Sequence, residues 1–333
     1  MIKSPVLIIG CPRSGTTLLY NILSEVPCLW SIGYESKAII EHYHHPSTKE
    51  WESGALEAGD LTPASLQYML KAFERQSAPG DFWQKVNRFR QQLGSNTLYR
   101  KVKRRGKSAG MGGAVSGAIP QQGLDAVRAW VRLRNALSAA HQPIRLLEKT
   151  PENCLRLPFL LELFPDARVI YLTRDARPNI HSLMEGWRQP HIFPGYQVPG
   201  GVQIPGDTRG RWAFTLVPGW RELVERPLEE VCAWQWVRCN EAVLEHQQQT
   251  EGKTPYLTVR YEEMVEQPGQ IFREIAGFLD LDYQETFGDF ANGLPRINVV
   301  SEPDPDKWRR VNGEAIARVE SIIRPMMEKL GYV

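Results

Sequence analysis

No run in this chain of 333 residues approaches the ~20 apolar residues that a membrane-spanning helix requires. A secretion signal is not expected either. Met1-Ile-Lys-Ser-Pro5 leads straight into the first apolar stretch and leaves no room for one, so a cytoplasmic location is expected, with peripheral membrane contact still open. Cysteine is scarce. Cys11, Cys28, Cys154, Cys232 and Cys239 are odd in number and have no paired or zinc-type CxxC spacing, so they read as reduced thiols and not as a disulfide framework. An excess of one charge is also lacking: 40 Lys and Arg face 38 Asp and Glu, a net of +2. That balance gives no support for a nucleic-acid binder driven by bulk electrostatics. There is no internal repeat and no clear linker, and the length suffices for a large core. Residues 1–333 are read as a single domain, with acceptor-side insertions at about 40–140 and 188–225.

What is present begins at Val6. Val6-Leu-Ile-Ile-Gly10-Cys-Pro-Arg13-Ser14-Gly15-Thr16-Thr17-Leu18-Leu19 is an apolar strand, a glycine-bounded turn and the start of a helix. The spacing is nearly that of the nucleotide-triphosphate P-loop, GxxxxGK[ST], but Thr16 stands where that loop has lysine. Such a turn still aims backbone N–H groups and a helix N-terminus at an anion. Pro12, Arg13, Ser14, Gly15, Thr16 and Thr17 are therefore candidate phosphate ligands without the lysine that reaches the β- and γ-phosphates.

Further apolar runs at Ile144–Leu147, Val169–Leu172 and Tyr256–Val259 read as buried parallel strands separated by helical sequence. The fold class expected is α/β, a central parallel sheet with a P-loop-like core flanked by helices and with chemistry at the C-terminal strand ends. Helix signals are visible at Thr17–Ser24, at Thr62-Pro63, over Pro178–Trp187 with Asp175 upstream, and in apolar stripes at 231–244, 271–279 and 316–330. Two stretches break the pattern. Residues 101–123 are basic and then glycine-rich, and 190–220 are rich in Pro, Gly and aromatics; loops of that length often serve as lids or binding walls.

A second polar cluster follows the third run: Tyr171-Leu-Thr-Arg174-Asp175-Ala-Arg177-Pro-Asn-Ile-His181-Ser182. A strand-end arginine and a serine in the first turns of the next helix can converge on one anion. Two phosphate sites, no P-loop lysine and no evident pair of Mg²⁺ ligands point to a bis-phosphorylated nucleotide.

With these segments in view, the chain resembles the PAPS-dependent sulfotransferases, in the bacterial, carbohydrate and tyrosylprotein-like branch. The resemblance is carried by CPRSGTTLL (11–19), EKTPEN (148–153), FPDARVIYLTRDARPNIHSL (164–183), VRYEEMVEQP (259–268) and PDKWRRVN (305–312), in the family's order. It implies 3′-phosphoadenosine 5′-phosphosulfate (PAPS) as sulfuryl donor, adenosine 3′,5′-bisphosphate (PAP) as product, and no metal. It also implies that Arg13–Thr17 bind the 5′-phosphosulfate, Arg174 and Ser182 the 3′-phosphate, that Tyr261 lies near the adenine, and that Lys307 reaches the cofactor phosphates.

Sulfuryl transfer needs charge neutralisation on the leaving phosphate and a base for the acceptor proton. Lys149, at a strand end, matches the family lysine that stabilises the bridging oxygen. Many members place a histidine base two residues later; here that position is Pro151. The tyrosylprotein-like branch uses a glutamate after the first helix, which Glu35 matches, making Glu35, Lys149 and Arg13 the candidate catalytic residues. His42 and His45 lack an acidic or cysteine partner at metal spacing. Phe193, Tyr196, Trp212, Phe214 and Trp220 are candidate walls of an acceptor pocket. Lys101, Lys103, Arg104, Arg105 and Lys107 offer a basic face to an acidic acceptor, a carrier-protein surface or an anionic lipid, or simply to solvent. The expected acceptor is a small-molecule, glycan or lipid hydroxyl, with a protein tyrosine also open. The rivals are an NTP-dependent phosphotransferase, against which Thr16 argues, and a non-catalytic nucleotide binder, against which Glu35 and Lys149 argue.

Overall fold

A computed structural model describes residues 2–77, 145–202, 210–287 and 306–333, apart from positions 25, 27 and 34. The basic stretch 101–123 and part of the aromatic stretch lie outside the described residues. Strands β1 (Val6–Ile9), β2 (Leu29–Ser31), β3 (Arg145–Lys149), β4 (Arg168–Thr173) and β5 (Tyr256–Arg260) form one five-stranded sheet in the order β2-β3-β1-β4-β5. Every pairing is parallel. The four apolar runs read from the sequence are β1, β3, β4 and β5, but β5, at the edge of the sheet, buries only Val259 and is not the buried strand expected. Strand β2 was not foreseen. It is a three-residue edge strand, too short to show periodicity, and it is fixed by its register of Leu29 against Arg145.

The unbroken apolar character of β1 follows from cover on both faces. Successive side chains of a strand point to opposite sides. Leu7 and Ile9 enter one buried cluster; Val6 and Ile8 enter the other. Strand β4 divides the same way, with Val169 and Tyr171 on the first side and Ile170 and Leu172 on the second. The second side is closed by helix α1 (Thr16–Leu23), through Leu19, Ile22 and Leu23.

Helices α2 (Lys37–His44) and α3 (Pro63–Ser77) lie on the first side, through Ile39, Ile40, Met69 and Phe73. Thr62 caps α3 as its Thr-Pro signal implies, accepting from the Ser65 N–H at 3.2 Å. Helix α4 (Leu157–Leu163) follows β3, and α5 (Ala176–Trp187) follows β4. Helix α5 starts two residues before Pro178, because the Asp175 carboxylate takes the Arg177 N–H at 2.9 Å and sets the cap there.

Helix α6 (Leu228–Gln249) is buried on more than one side, with Val231, Trp236, Cys239 and Val243 in the core. Helices α7 (Tyr261–Glu266), α8 (Pro268–Phe278) and α9 (Tyr283–Phe287) follow β5. The final stripe is two helices, α10 (Lys307–Arg318) and α11 (Glu320–Lys329), parted at Val319. All five cysteines are free and buried. Among the described residues no helix is long and apolar enough to cross a membrane.

Candidate active site

The β1–α1 turn sits at the C-terminal edge of the sheet, on its central strand. Two backbone features shape it. Gly10 packs so close to β4 that a Cβ would lie 2.6 Å from the Leu172 carbonyl oxygen. Gly15 has φ 100°, the left-handed region that favours glycine, and a Cβ there would collide with the Tyr261 ring. Arg13 is also left-handed, at φ 69°. The Ser14 N–H closes the turn on the Cys11 carbonyl at 3.1 Å, and the Asn179 amide of α5 holds the Pro12 carbonyl at 3.0 Å. Gly15 is the N-cap of α1, and no side chain caps that end. The first amides of a helix left in that state, with the positive end of its dipole, form an anion site.

Two arginines meet over this turn. Arg13 Nε donates to Ser182 Oγ at 3.1 Å, and Arg174 Nη1 donates to the Arg13 carbonyl at 2.9 Å. The Arg174 guanidinium lies 4.4 Å from the centre of the Tyr261 ring, and that of Arg13 lies 4.9 Å from the centre of Phe193. Burial, and then the charge of Arg174, hold Arg13 below the usual arginine range. Asp175 does not neutralise Arg174; its carboxylate is taken by Arg177 at 2.6 and 2.9 Å. Ser14 Oγ and Arg174 Nε are buried without a hydrogen-bond partner. Two adjacent cations and two orphaned donors leave a need for acceptors, which a phosphate supplies. The turn and the Arg174–Ser182 cluster, separate in the sequence, form one continuous surface.

Lys307 opens α10, which packs on α5 through the Asn312 amide, 2.8 Å from His181 Nδ1. Asn312 is non-helical (φ −130°, ψ 20°) and kinks α10 where this contact forms. Burial holds His181 below the usual histidine range; Glu185 opposes this, while Lys307, Arg174 and Arg188 add to it. Lys307 thus acts electrostatically on the residue next to Ser182.

On the other flank, β3 ends at Lys149. Its Nζ lies 2.6 Å from Glu35 Oε1 and 3.3 Å from Thr17 Oγ1 of the turn. Lys149 is 6% exposed, whereas the Glu35 side chain is 43% exposed. A buried ammonium therefore meets the anion turn on one side and a solvent-facing carboxylate on the other. Thr16 itself is buried, and Thr17 is exposed.

The aromatic stretch corrects one expectation. Tyr196, Trp212 and Trp220 are core residues at 3%, 0% and 2% exposure. Phe193 stands beside Arg13, and Phe214 is tilted against Phe193 with ring centres 5.1 Å apart. Among its described residues, Phe193 reaches the site, and the buried aromatics Tyr196, Trp212 and Trp220 belong to the core. The sequence reading also passed over Asn179 and Ser36. An asparagine inside α5 and a serine directly after Glu35 were the only signals available.

The Sulfotransferase family model matches residues 5–192, more than half of the chain and the whole stretch from the anion turn to Ser182. The chain belongs to the sulfotransferase family. This sulfotransferase is 26% identical over 205 residues to a protein-tyrosine sulfotransferase of Drosophila melanogaster, covering 56% of this chain and 34% of the relative. It is 26% identical over 163 residues to a putative protein-tyrosine sulfotransferase of Caenorhabditis briggsae, covering 48% and 45%. The chain thus spans less than half the length of either relative. Among solved structures it is similar to a sulfotransferase domain from the curacin biosynthetic pathway, at TM-score 0.47 and 16% identity, covering 100% of this chain and 99% of that one. A mouse sulfotransferase complexed with PAP is similar at TM-score 0.44 and 12% identity, covering 97% and 84%.

Among the described residues no group of His, Cys, Asp and Glu is arranged to hold a metal ion. The turn and the neighbouring Arg174 do fit phosphate groups, because both orphaned donors, Ser14 Oγ and Arg174 Nε, need acceptors.

Proposed function

We propose that this sulfotransferase transfers a sulfuryl group from PAPS to an acceptor hydroxyl, within a single domain spanning residues 1–333 of a cytoplasmic enzyme. The observation that carries the reading is the position of Lys149 Nζ between Thr17 Oγ1 and the Glu35 carboxylate. When bound, PAPS supplies the sulfuryl group and leaves as PAP. Pro12, Arg13, Ser14, Gly15, Thr16 and Thr17 would hold its 5′-phosphosulfate at the amides and hydroxyls of the turn. Arg174 and Ser182 would hold the 3′-phosphate, with Lys307 adding charge from α10, and Tyr261 would border the adenine.

Lys149 would neutralise the negative charge of the leaving phosphate. Arg13, in the turn, would neutralise the transferring group. Glu35 is exposed enough to meet an acceptor and takes the proton that the hydroxyl loses as its oxygen bonds to sulfur. No metal enters this scheme. Phe193 and Phe214 give the acceptor side an apolar edge, suited to a phenol, a sugar face or a lipid alcohol. The similarity to protein-tyrosine sulfotransferases supports including a tyrosyl peptide in the acceptor screen, beside glycans and small-molecule or lipid alcohols.

Calorimetric titration with PAP, ADP and ATP tests the donor assignment. Tight binding of PAP with little response to the others is expected. Preference for ATP with Mg²⁺ would return the chain to the phosphotransferases. A screen with [³⁵S]PAPS then identifies the acceptor, and Glu35→Gln should abolish transfer while leaving PAP affinity intact.

A further inference from the structure

Strand β3 carries two charged residues in succession at its end, and the strand's alternation sends them to opposite faces. Lys149 shares the side of Leu147 and meets the anion turn; Glu148 shares the side of Leu146. Glu148 is 1% exposed. A carboxylate so placed is costly to bury unless its oxygens are met. Here both are. Oε1 accepts from the Ser36 hydroxyl at 2.6 Å and from the Thr150 hydroxyl at 2.6 Å; Oε2 accepts from the Asn153 amide at 2.8 Å. The Ser36 N–H donates in turn to Thr150 Oγ1 at 2.7 Å. These bonds close a ring that joins the residue after Glu35 to the residues on either side of Lys149.

Ser36 adds a second observation. It is the N-cap of α2, where a serine ordinarily accepts from the first amides of its helix. No such bond is made; the hydroxyl donates to Glu148 instead. A local capping bond has been given up for one that crosses to β3.

We propose that Glu148 is a positioning residue, which by holding Ser36 and Thr150 fixes the Glu35 carboxylate against Lys149 Nζ. The proposal rests on the reading of Glu35 as base. Glu35 stands half-exposed at a chain segment whose neighbouring residue is tied down by the two Ser36 bonds. Without them the Glu35 carboxylate is free to leave Lys149, and a displacement of about 1 Å in a reacting group can cost on the order of 100-fold in rate.

The first test needs no acceptor. Crystal structures of the parent, Ser36→Ala and Glu148→Gln, each with PAP, are compared. The expected result is the 2.6 Å Lys149–Glu35 contact in the parent and its loss in both variants, with the anion turn and PAP unmoved. A contact kept in both variants overturns the proposal. The second test measures PAP release from PAPS, with 4-nitrophenol or water as acceptor, in Ser36→Ala, Glu35→Gln and their combination. Ser36→Ala is the milder change should Glu148→Gln fail to fold. Its kcat is expected to fall between about 10- and 100-fold with KM for PAPS unchanged. The combined variant should be no slower than Glu35→Gln alone, since two residues acting through one group do not multiply.

Equal losses in both backgrounds mean that the ring acts independently of Glu35, and the proposal fails. Full turnover in Ser36→Ala beside an inactive Glu35→Gln overturns the proposal alone. Full turnover in Glu35→Gln removes the base assignment, and a positioning role for that base goes with it.

Discussion

Glu148 and Glu152 are both buried within one short stretch of chain, yet they move in opposite directions. Burial raises Glu148, and the Ser36, Thr150 and Asn153 donors offset only part of that rise. Burial also acts on Glu152, but Lys37 at 3.2 Å and the charge of Arg156 outweigh it and bring that carboxyl below its usual value. The consequences for stability have opposite signs. A raised group binds its proton more tightly folded than unfolded, so Glu148 weighs against the folded state as pH climbs from the ordinary carboxylate range through its raised value. Glu152 contributes stability that is present above the ordinary range and lost as pH falls through its lowered value. Urea midpoints of the parent, Glu148→Gln and Glu152→Gln, taken between about pH 2 and 8 so that both windows are covered, check this. The advantage of the parent over Glu148→Gln should shrink with rising pH, and its advantage over Glu152→Gln should shrink with falling pH; flat differences would refute both. Arg174 belongs to the same scale. Removing a charged donor of this kind costs about 1.5–3 kcal/mol, so Arg174→Ala should weaken PAP binding roughly 10- to 100-fold by calorimetry. Unchanged affinity would mean that the anion is held elsewhere.

The β1–α1 unit shows which parts of an element its sequence reveals. Its glycines, hydroxyls and apolar strand are contiguous, so the turn was legible from order alone. The collision that makes Gly15 necessary was not, because Tyr261 arrives from the far end of the chain. Gly15→Ala should cost about 1–2 kcal/mol from the left-handed backbone alone, and more from the ring. Tyr261→Ala in the same chain removes the ring and leaves only the backbone part. Urea unfolding of the single and double variants separates the two, and equal losses in both would show that the ring does not crowd the turn. The same limit explains the other differences. Strand β2 is held by register and not by its own pattern. Helices α10 and α11 share one apolar stripe, and their break at Val319 interrupts no periodicity. Lys149 and Glu35 were legible as residues, one at a strand end and one after a helix. The Glu148 ring behind them was not, because it joins Ser36 to β3 across the fold and a lone glutamate in an apolar strand names no partner.

At the scale of the molecule, a net charge of +2 conceals a strongly basic locus. Parallel topology brings the ends of β1, β3 and β4 to one edge, and with them Arg13, Lys149 and Arg174. Helix α10 brings Lys307 to α5, which carries Ser182. Composition carries no trace of this arrangement, which arises from strand order. It also means that one ligand can join elements from the first turn to the last helices, so binding should be felt as global stability. A ligand at a hundred times its Kd adds about 2.7 kcal/mol to the folded state, a rise in Tm of roughly 5 °C for a large domain. PAP should give that rise without added metal. ADP, which lacks the 3′-phosphate, should give clearly less, and Arg174→Ala should lower the PAP response toward that of ADP. Raising the salt concentration should reduce the shift at fixed PAP, because the attraction of the clustered cations is screened. Thermal melts with PAP, ADP and Mg²⁺–ATP at two ionic strengths decide the matter. Equal shifts from PAP and ADP would mean that the Arg174–Ser182 surface holds no phosphate, and would overturn the donor assignment.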